Sequence, residues 1–142
     1  MKDKIMVDTN VLIYIETSDE EKKHEIAIET LEKMKLEYDL FLSIQNINEF
    51  SNNMLKKSNL SHSSINEIIT NYQTTFNMIF FNIETIKAAN NVSREYNIHF
   101  YDALLAATMQ ENNIFKIITE NEKDFKKVPW IKIINPFKEL DK

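Results

Sequence analysis

The chain has 142 residues, 43% of them hydrophobic, with no glycine, no cysteine, two prolines and a formal net charge of -5. That length favours one domain, spanning 1–142, with a sizeable core; the lack of cysteine excludes disulfides and thiolate-bound zinc and fits a reducing, cytoplasmic setting. Without glycine, phosphate cradles of the P-loop or dinucleotide type are excluded, and the negative charge argues against broad phosphate-backbone binding unless a bound cation reverses the sign locally.

In chain order, the opening Met1-Lys2-Asp3-Lys4 leads into an apolar stretch too short and too polar for a signal peptide or a membrane span. A strand is expected over Lys4 to Val7, then a short apolar helix from Thr9 to about Ile15. A second helix runs from Asp19 to Lys35, with Ser18 and Glu21 as a capping box and Ala27, Leu31 and Met34 on one face. A strand at Phe41 to Ser43 and a helix from about Ile47 to Lys57 follow. Ser64 with Glu67 offers a second capping box, for a helix from about Ser61 to Tyr72. Met78 to Phe81 reads as a strand. Glu84 to Tyr96 reads as a helix with Ile86, Ala89 and Val92 in register, and Asp102 to Asn112 as another, opened by an N-cap-type residue. Strands at Lys116 to Ile118 and Ile131 to Ile134 close the set. Turns fall to Asn, Asp and Ser, which tolerate left-handed backbone.

Strands alternating with helices imply a parallel sheet with helices on both faces. In such a sheet Asp8, which ends Ile5-Met6-Val7, and the cluster Thr119-Glu120-Asn121-Glu122-Lys123-Asp124-Phe125 lie past strand ends on one edge, where ligands collect. Glu49 is expected in the first turn of the helix leaving that edge, and the helix opened by Asp102 must start there to reach Lys116 to Ile118. How the chain returns to that edge through Asn97 to Tyr101 is left open by the pattern.

Carboxylates gathered in this way repel and raise one another's pKa unless a cation neutralises them. With no thiolate and no grouped histidine, the hard oxygen donors point to Mg²⁺ or Mn²⁺. Such an ion lowers the pKa of a bound water and clamps a phosphate, the equipment for phosphodiester hydrolysis. Asn10 and the Thr9 and Thr119 hydroxyls are expected to hold the carboxylates in place.

Val7-Asp8-Thr9-Asn10-Val11-Leu12, the Asn48-Glu49 pair, Tyr101-Asp102-Ala103-Leu104-Leu105-Ala106-Ala107-Thr108 and Ile118-Thr119-Glu120-Asn121-Glu122-Lys123-Asp124-Phe125 together resemble a PIN domain, most closely a VapC-type toxin of a toxin-antitoxin pair. The resemblance implies a three-layer α/β/α fold with a mostly parallel sheet of about five strands. It further implies a Mg²⁺- or Mn²⁺-dependent endoribonuclease, commonly a homodimer, inhibited by a cognate antitoxin protein. Asp8, Glu49 and Asp102 match the family's acidic metal ligands. The fourth acidic position is occupied by Asn121, whose carbonyl brings no charge, and Asp124 is the nearest substitute, within reach if the segment after Thr119 turns helically.

Other residues have plainer readings. Asp8 and Asp102 also suit helix caps, Glu49, Glu120 and Glu122 suit surface charges, and His24, His62 and His99 show no ligand spacing. Phe76, Phe80, Phe81, Phe100 and Tyr101 read as packing residues. Two competing functions follow: a catalytically weak PIN-like module that binds RNA or protein, which the uncharged Asn121 allows, and a haloacid-dehalogenase-type phosphatase. The second wants an Asp two residues after Asp8, where Asn10 stands.

Overall fold

The computed structural model describes residues 2–141; residues 1 and 142, the expected ends of the domain, lie outside the described residues. The elements are β1 (Asp3–Val7), α1 (Thr9–Glu16), α2 (Glu21–Glu37), β2 (Tyr38–Ser43), α3 (Ile44–Lys57), α4 (His62–Thr75), β3 (Asn77–Ile79), α5 (Ile83–Tyr96), α6 (Phe100–Glu111), β4 (Lys116–Ile118), α7 (Glu122–Phe125), β5 (Lys132–Ile134) and a closing 3-10 turn over Lys138–Asp141. The strands form one sheet in the order β3-β2-β1-β4-β5, and every neighbouring pair is parallel. The order fits the connections. Sequential strands step outward from β1 to β3, and the chain then crosses back to place β4 on the other side of β1.

Alternation along β1 assigns the two faces. Ile5 and Val7 pack with Leu12 of α1, Leu31 of α2, Phe50 of α3 and Tyr72 of α4. Met6, between them, faces Ala89 of α5, Leu105 of α6 and Phe125 of α7. The sheet is thus buried on both faces, as a parallel sheet requires, and the three-layer expectation holds. Ala27 and Leu31 are buried as their spacing predicts.

Several local features differ from those the residue pattern predicts. α2 is capped by Glu20 with no side-chain bond, so the Ser18–Glu21 box does not form. Ser61, not Ser64, caps α4, its hydroxyl accepting from the Ser64 backbone N–H. β3 stops at Ile79, opposite Ser43, because β2 ends there and gives way to α3. Phe80 is consequently 67% exposed rather than core. In α5 the buried register is Thr85, Ala89 and Val92, and Ile86 faces solvent.

The route back to the site edge is also resolved. The Thr85 hydroxyl at the start of α5 donates to Glu111 Oε2 at the end of α6 (2.8 Å), and the Ser93 hydroxyl near the end of α5 donates to the Ile98 carbonyl (2.7 Å). The two helices therefore run as an antiparallel hairpin, and α5 itself carries the chain back. The tip turns through Asn97 at φ 53°, and Asn113, ahead of β4, has φ 56°. In a chain without glycine, both left-handed positions among the described residues fall to Asn, the non-glycine residue that tolerates them best.

Candidate active site

Asp8 stands where β1 meets α1, beside the point at which the strand order reverses between β1 and β4, the location at which open α/β sheets bind ligands. It is the N-cap of α1: Oδ1 accepts from the Thr9 backbone N–H (2.8 Å) and Oδ2 from the Thr119 hydroxyl (2.7 Å), with the Asn10 amide at 3.5 Å. Capping and placement in the site are therefore roles of one carboxylate. The Asn121 backbone N–H donates to Thr119 Oγ1 (2.9 Å), so the Thr119 hydroxyl ties the loop after β4 to Asp8. Burial pushes the Asp8 carboxyl above its ordinary range, while the bonds from Thr119 and Thr9 pull it down.

Glu49 lies on α3, which begins at Ile44, three residues earlier than expected, so Glu49 occupies the second turn rather than the first. The earlier start has a local cause. Ser43 caps the helix, its hydroxyl accepting from the Asn46 N–H (3.2 Å) while Asn46 Oδ1 accepts from the Ser43 N–H (3.0 Å). Asn46 Nδ2 also donates to Thr9 Oγ1 (3.1 Å), so α3 is fastened to the start of α1 through buried amide and hydroxyl groups. Gln45 then aims Glu49: its Nε2 donates to Glu49 Oε1 (2.8 Å) and to the Tyr101 carbonyl (2.9 Å). With Nε2 committed to two acceptors the amide orientation is fixed, and Gln45 Oε1 is left buried without a partner, an arrangement that costs about 1–3 kcal/mol. Burial raises the Glu49 carboxyl, the Gln45 bond lowers it, and the Asp8 charge raises it further.

Asp102 is the third residue of α6 rather than its cap; His99 holds the cap position without a side-chain bond. Its carboxyl is pushed up to about 7, first by burial, then by a hydrogen bond shared with the Asp124 carboxyl and by the charges of Asp8 and Asp124, against a lowering contact from the Asn121 amide. That amide donates to Asp102 Oδ2 at 3.4 Å. The segment after Thr119 does turn helically, as α7, and this turn brings Asp124 against Asp102. Asn121 lines the same cleft as Asp8, Glu49 and Asp102, whereas Asp124 lies against Asp102 and does not line it.

Asp8, Glu49, Asp102 and Asn121 thus share a cleft of about 240 Å³ with Asn10 and Asn53. Among the described residues, no Lys, Arg or His forms an ion pair with any of the three carboxylates. Half-buried acids that raise one another and face no countercharge are short of a cation, and an all-oxygen donor set suits a hard divalent ion. The same described residues hold no group of three or more His, Cys, Asp or Glu close enough to grip an ion unaided. Glu120 is no plain surface charge, and it is not spare for a metal. It accepts from the Tyr14 hydroxyl (2.6 Å) and forms an ion pair with Lys23 Nζ (2.6 Å). Burial and this carboxylate together push the Tyr14 hydroxyl up to about 12.

Ser43, Gln45, Asn46 and Asn53 are the supporting residues that the sequence reading did not single out. The signal for them was present: a run of Ser, Gln and Asn directly after the apolar Leu40-Phe41-Leu42, with Ser43 and Asn46 at capping-box spacing.

Sheet order, switch-point location and an acid-lined cleft define the class as a parallel α/β fold with a polar site at the carboxyl ends of its strands. The PIN domain family matches residues 5–131, and the chain belongs to that family. Its members are nucleases that generally use divalent metal ions, which makes a nuclease the class of this chain. Among solved structures, the chain is similar to a toxin-antitoxin complex from Klebsiella pneumoniae at 23% identity and TM-score 0.67, covering 93% of this chain and 97% of that one. VapBC2 from Rickettsia felis, bound to a DNA fragment from its promoter, is similar at 18% identity and TM-score 0.71, over 93% and 98%. VapC20 from Mycobacterium tuberculosis, a toxin that cleaves the Sarcin-Ricin loop, is similar at 14% and TM-score 0.70, over 92% and 99%. No curated protein sequence matches the chain.

Proposed function

We propose that this chain is one PIN domain acting as a Mg²⁺- or Mn²⁺-dependent endoribonuclease, the toxin of a type II toxin-antitoxin pair. The observation that carries the reading is the meeting of Asp8, Glu49 and Asp102, from three separate elements, in one cleft without a countercharge. The cleavage named for VapC20 and the antitoxins of the neighbouring complexes support the RNA substrate and the protein partner.

Asp8, Glu49 and Asp102 would hold the ion, with Asn121 or Asp124 as the fourth contributor. When bound, the ion lowers the pKa of a coordinated water and offsets charge on the phosphate. The chain's own groups prepare for this. Thr119 and the Thr9 N–H fix Asp8 in orientation, and Gln45 fixes Glu49. Asp102, its carboxyl pushed up to about 7, is partly protonated at neutral pH and would release that proton when positive charge arrives. Asn10 and Asn53 offer neutral amide donors at the cleft wall, suited to phosphate oxygens on a chain of negative net charge.

An antitoxin segment would inhibit by placing an Arg on the carboxylates in place of the ion. We place the protein in the cytoplasm and expect a homodimer; among the described residues no helix is long and apolar enough to cross a membrane. One observation favours a weaker, binding-only module: the neutral Asn121 at the cleft. Incubating purified protein with total RNA decides between them. Cleavage that requires Mg²⁺ or Mn²⁺ and stops with EDTA is expected. Intact RNA under every metal condition would refute the nuclease and leave the binding module.

A further inference from the structure

The acid cleft does not end at Glu49. A second cavity, of about 410 Å³, is lined by Glu49 together with Gln45, Asn48, Asn52 and Tyr101. Gln45, Asn48 and Tyr101 also line a third, of about 380 Å³, whose walls include Ile47, Phe81 and Leu104. A continuous trough therefore runs from the carboxylates, past Tyr101, into an apolar recess between α3 and α6. The second and third cavities each lie within the range of small-ligand clefts, roughly 300–1,000 Å³.

The chemistry changes along the trough. At the acid end a phosphate would meet the ion. None of the described residues lining the far recess is charged, so that end suits a neutral, flat group with hydrogen-bonding edges. Tyr101, one residue before Asp102, is 60% exposed, although its aromatic character would lead one to expect packing. Phe100 meets it in a T-shaped contact, with ring centroids 5.6 Å apart at 71°, which can cover no more than one of the two faces of Tyr101. Gln45, only 7% exposed, lines both cavities and carries the acceptor Oε1 that has no partner.

We propose that this trough is a nucleobase subsite. An unstacked base of the RNA next to the scissile phosphate lies on the Tyr101 ring, its edge among Gln45 and Asn48 and its N–H donor on Gln45 Oε1. The proposal rests on the nuclease reading only for the identity of the phosphate. Sequence-specific recognition of single-stranded RNA commonly uses splayed bases stacked on aromatics and read by amides, and here Tyr101 adjoins Asp102 and Asn48 adjoins Glu49.

The test measures binding apart from cleavage. Fluorescein-labelled single-stranded 12-nucleotide oligoribonucleotides, A12, U12 and C12, are titrated with full-length protein by anisotropy, with Ca²⁺ replacing Mg²⁺ to slow hydrolysis. Base-on-aromatic stacking predicts that Tyr101→Ala weakens the best-bound oligonucleotide about 5- to 100-fold. Tyr101→Phe should bind within about twofold of wild type, because the face is kept. Ser51→Phe, which plugs the recess from α3, should weaken binding as Tyr101→Ala does. Melting temperature and Mn²⁺ affinity should be unchanged by Tyr101→Ala, whose backbone carbonyl still accepts from Gln45. Equal binding by wild type and Tyr101→Ala, or no binding of any oligonucleotide by wild type, overturns the subsite. Normal RNA binding by Tyr101→Ala with lost inhibition by a co-expressed antitoxin also overturns it and assigns the trough to protein. Tyr101-dependent binding without metal-dependent cleavage would instead leave the subsite standing and remove the nuclease.

Discussion

Asp102→Asn should make the metal-free protein more stable while abolishing its activity, and the gain should depend on pH in a defined direction. Asp102 has its folded pKa raised from 3.8 to about 7, so the folded state holds a proton that the unfolded chain has already released. A group of this kind contributes its full stability below about pH 4, and that contribution is lost as pH rises towards about 7. At roughly 1.4 kcal/mol per unit the shift amounts to about 4 kcal/mol at most, and solvent screening at a half-buried site reduces this to about 2 kcal/mol. The amide keeps the shape and carries no charge to be disfavoured. For a chain of this length the melting temperature of the EDTA-treated variant at pH 8 should exceed that of wild type by about 5–10 °C. At pH 4.5, where Asp102 is protonated in the folded protein, the difference should nearly vanish. Circular dichroism melts at the two pH values read this directly. A variant that melts below wild type at pH 8, or gains equally at both pH values, would refute the electrostatic account of the cleft.

Asn121→Asp should tighten Mn²⁺ binding by adding charge at the cleft, and Asp124→Ala should weaken it, both read by calorimetry; a silent Asp124→Ala would make Asp124 a partner of Asp102 only. Asn46→Ala removes the amide joining Ser43, Thr9 and α3 and leaves buried groups unpaired, so chemical denaturation should show a loss of about 1–3 kcal/mol; a loss below about 0.5 kcal/mol would show that the bonds are replaced by water. Strong expression of the chain alone should arrest growth, with rescue by an antitoxin encoded beside it; normal growth with abundant folded protein would count against the toxin reading.

Much of the layout was legible in the sequence because a few signals are strong. Apolar runs ending in Asp8 and Thr119 located the strand ends, and a parallel sheet then forces these ends to one edge. The family motifs placed Glu49 and Asp102 with them. What sequence could not give were features set by tertiary contact. α3 starts three residues before the point its pattern predicts because Ser43 reads equally well as the last strand residue, and only its exchange of bonds with Asn46 decides the boundary. Tyr101 and Phe80 look like core by composition, yet both lie outside the packed layers, Phe80 because β3 ends at Ile79. Glu120 looks like a surface charge until Tyr14 and Lys23, more than 90 positions earlier in the chain, are brought beside it. Asp102 has cap chemistry but sits inside α6, since the left-handed turn at Asn97 lets the helix begin at Phe100.

The central claim is that Asp8, Glu49 and Asp102 are held uncompensated so that a divalent ion can complete them. Titrating Mn²⁺ into the wild-type protein near pH 7 by calorimetry, in two buffers of different ionisation enthalpy, tests it most directly. Saturable binding with release of protons is expected, because the ion displaces the proton that Asp102 partly retains at this pH, and that binding should be lost in Asp8→Asn. Binding without proton release, or binding that Asp8→Asn leaves intact, would contradict it.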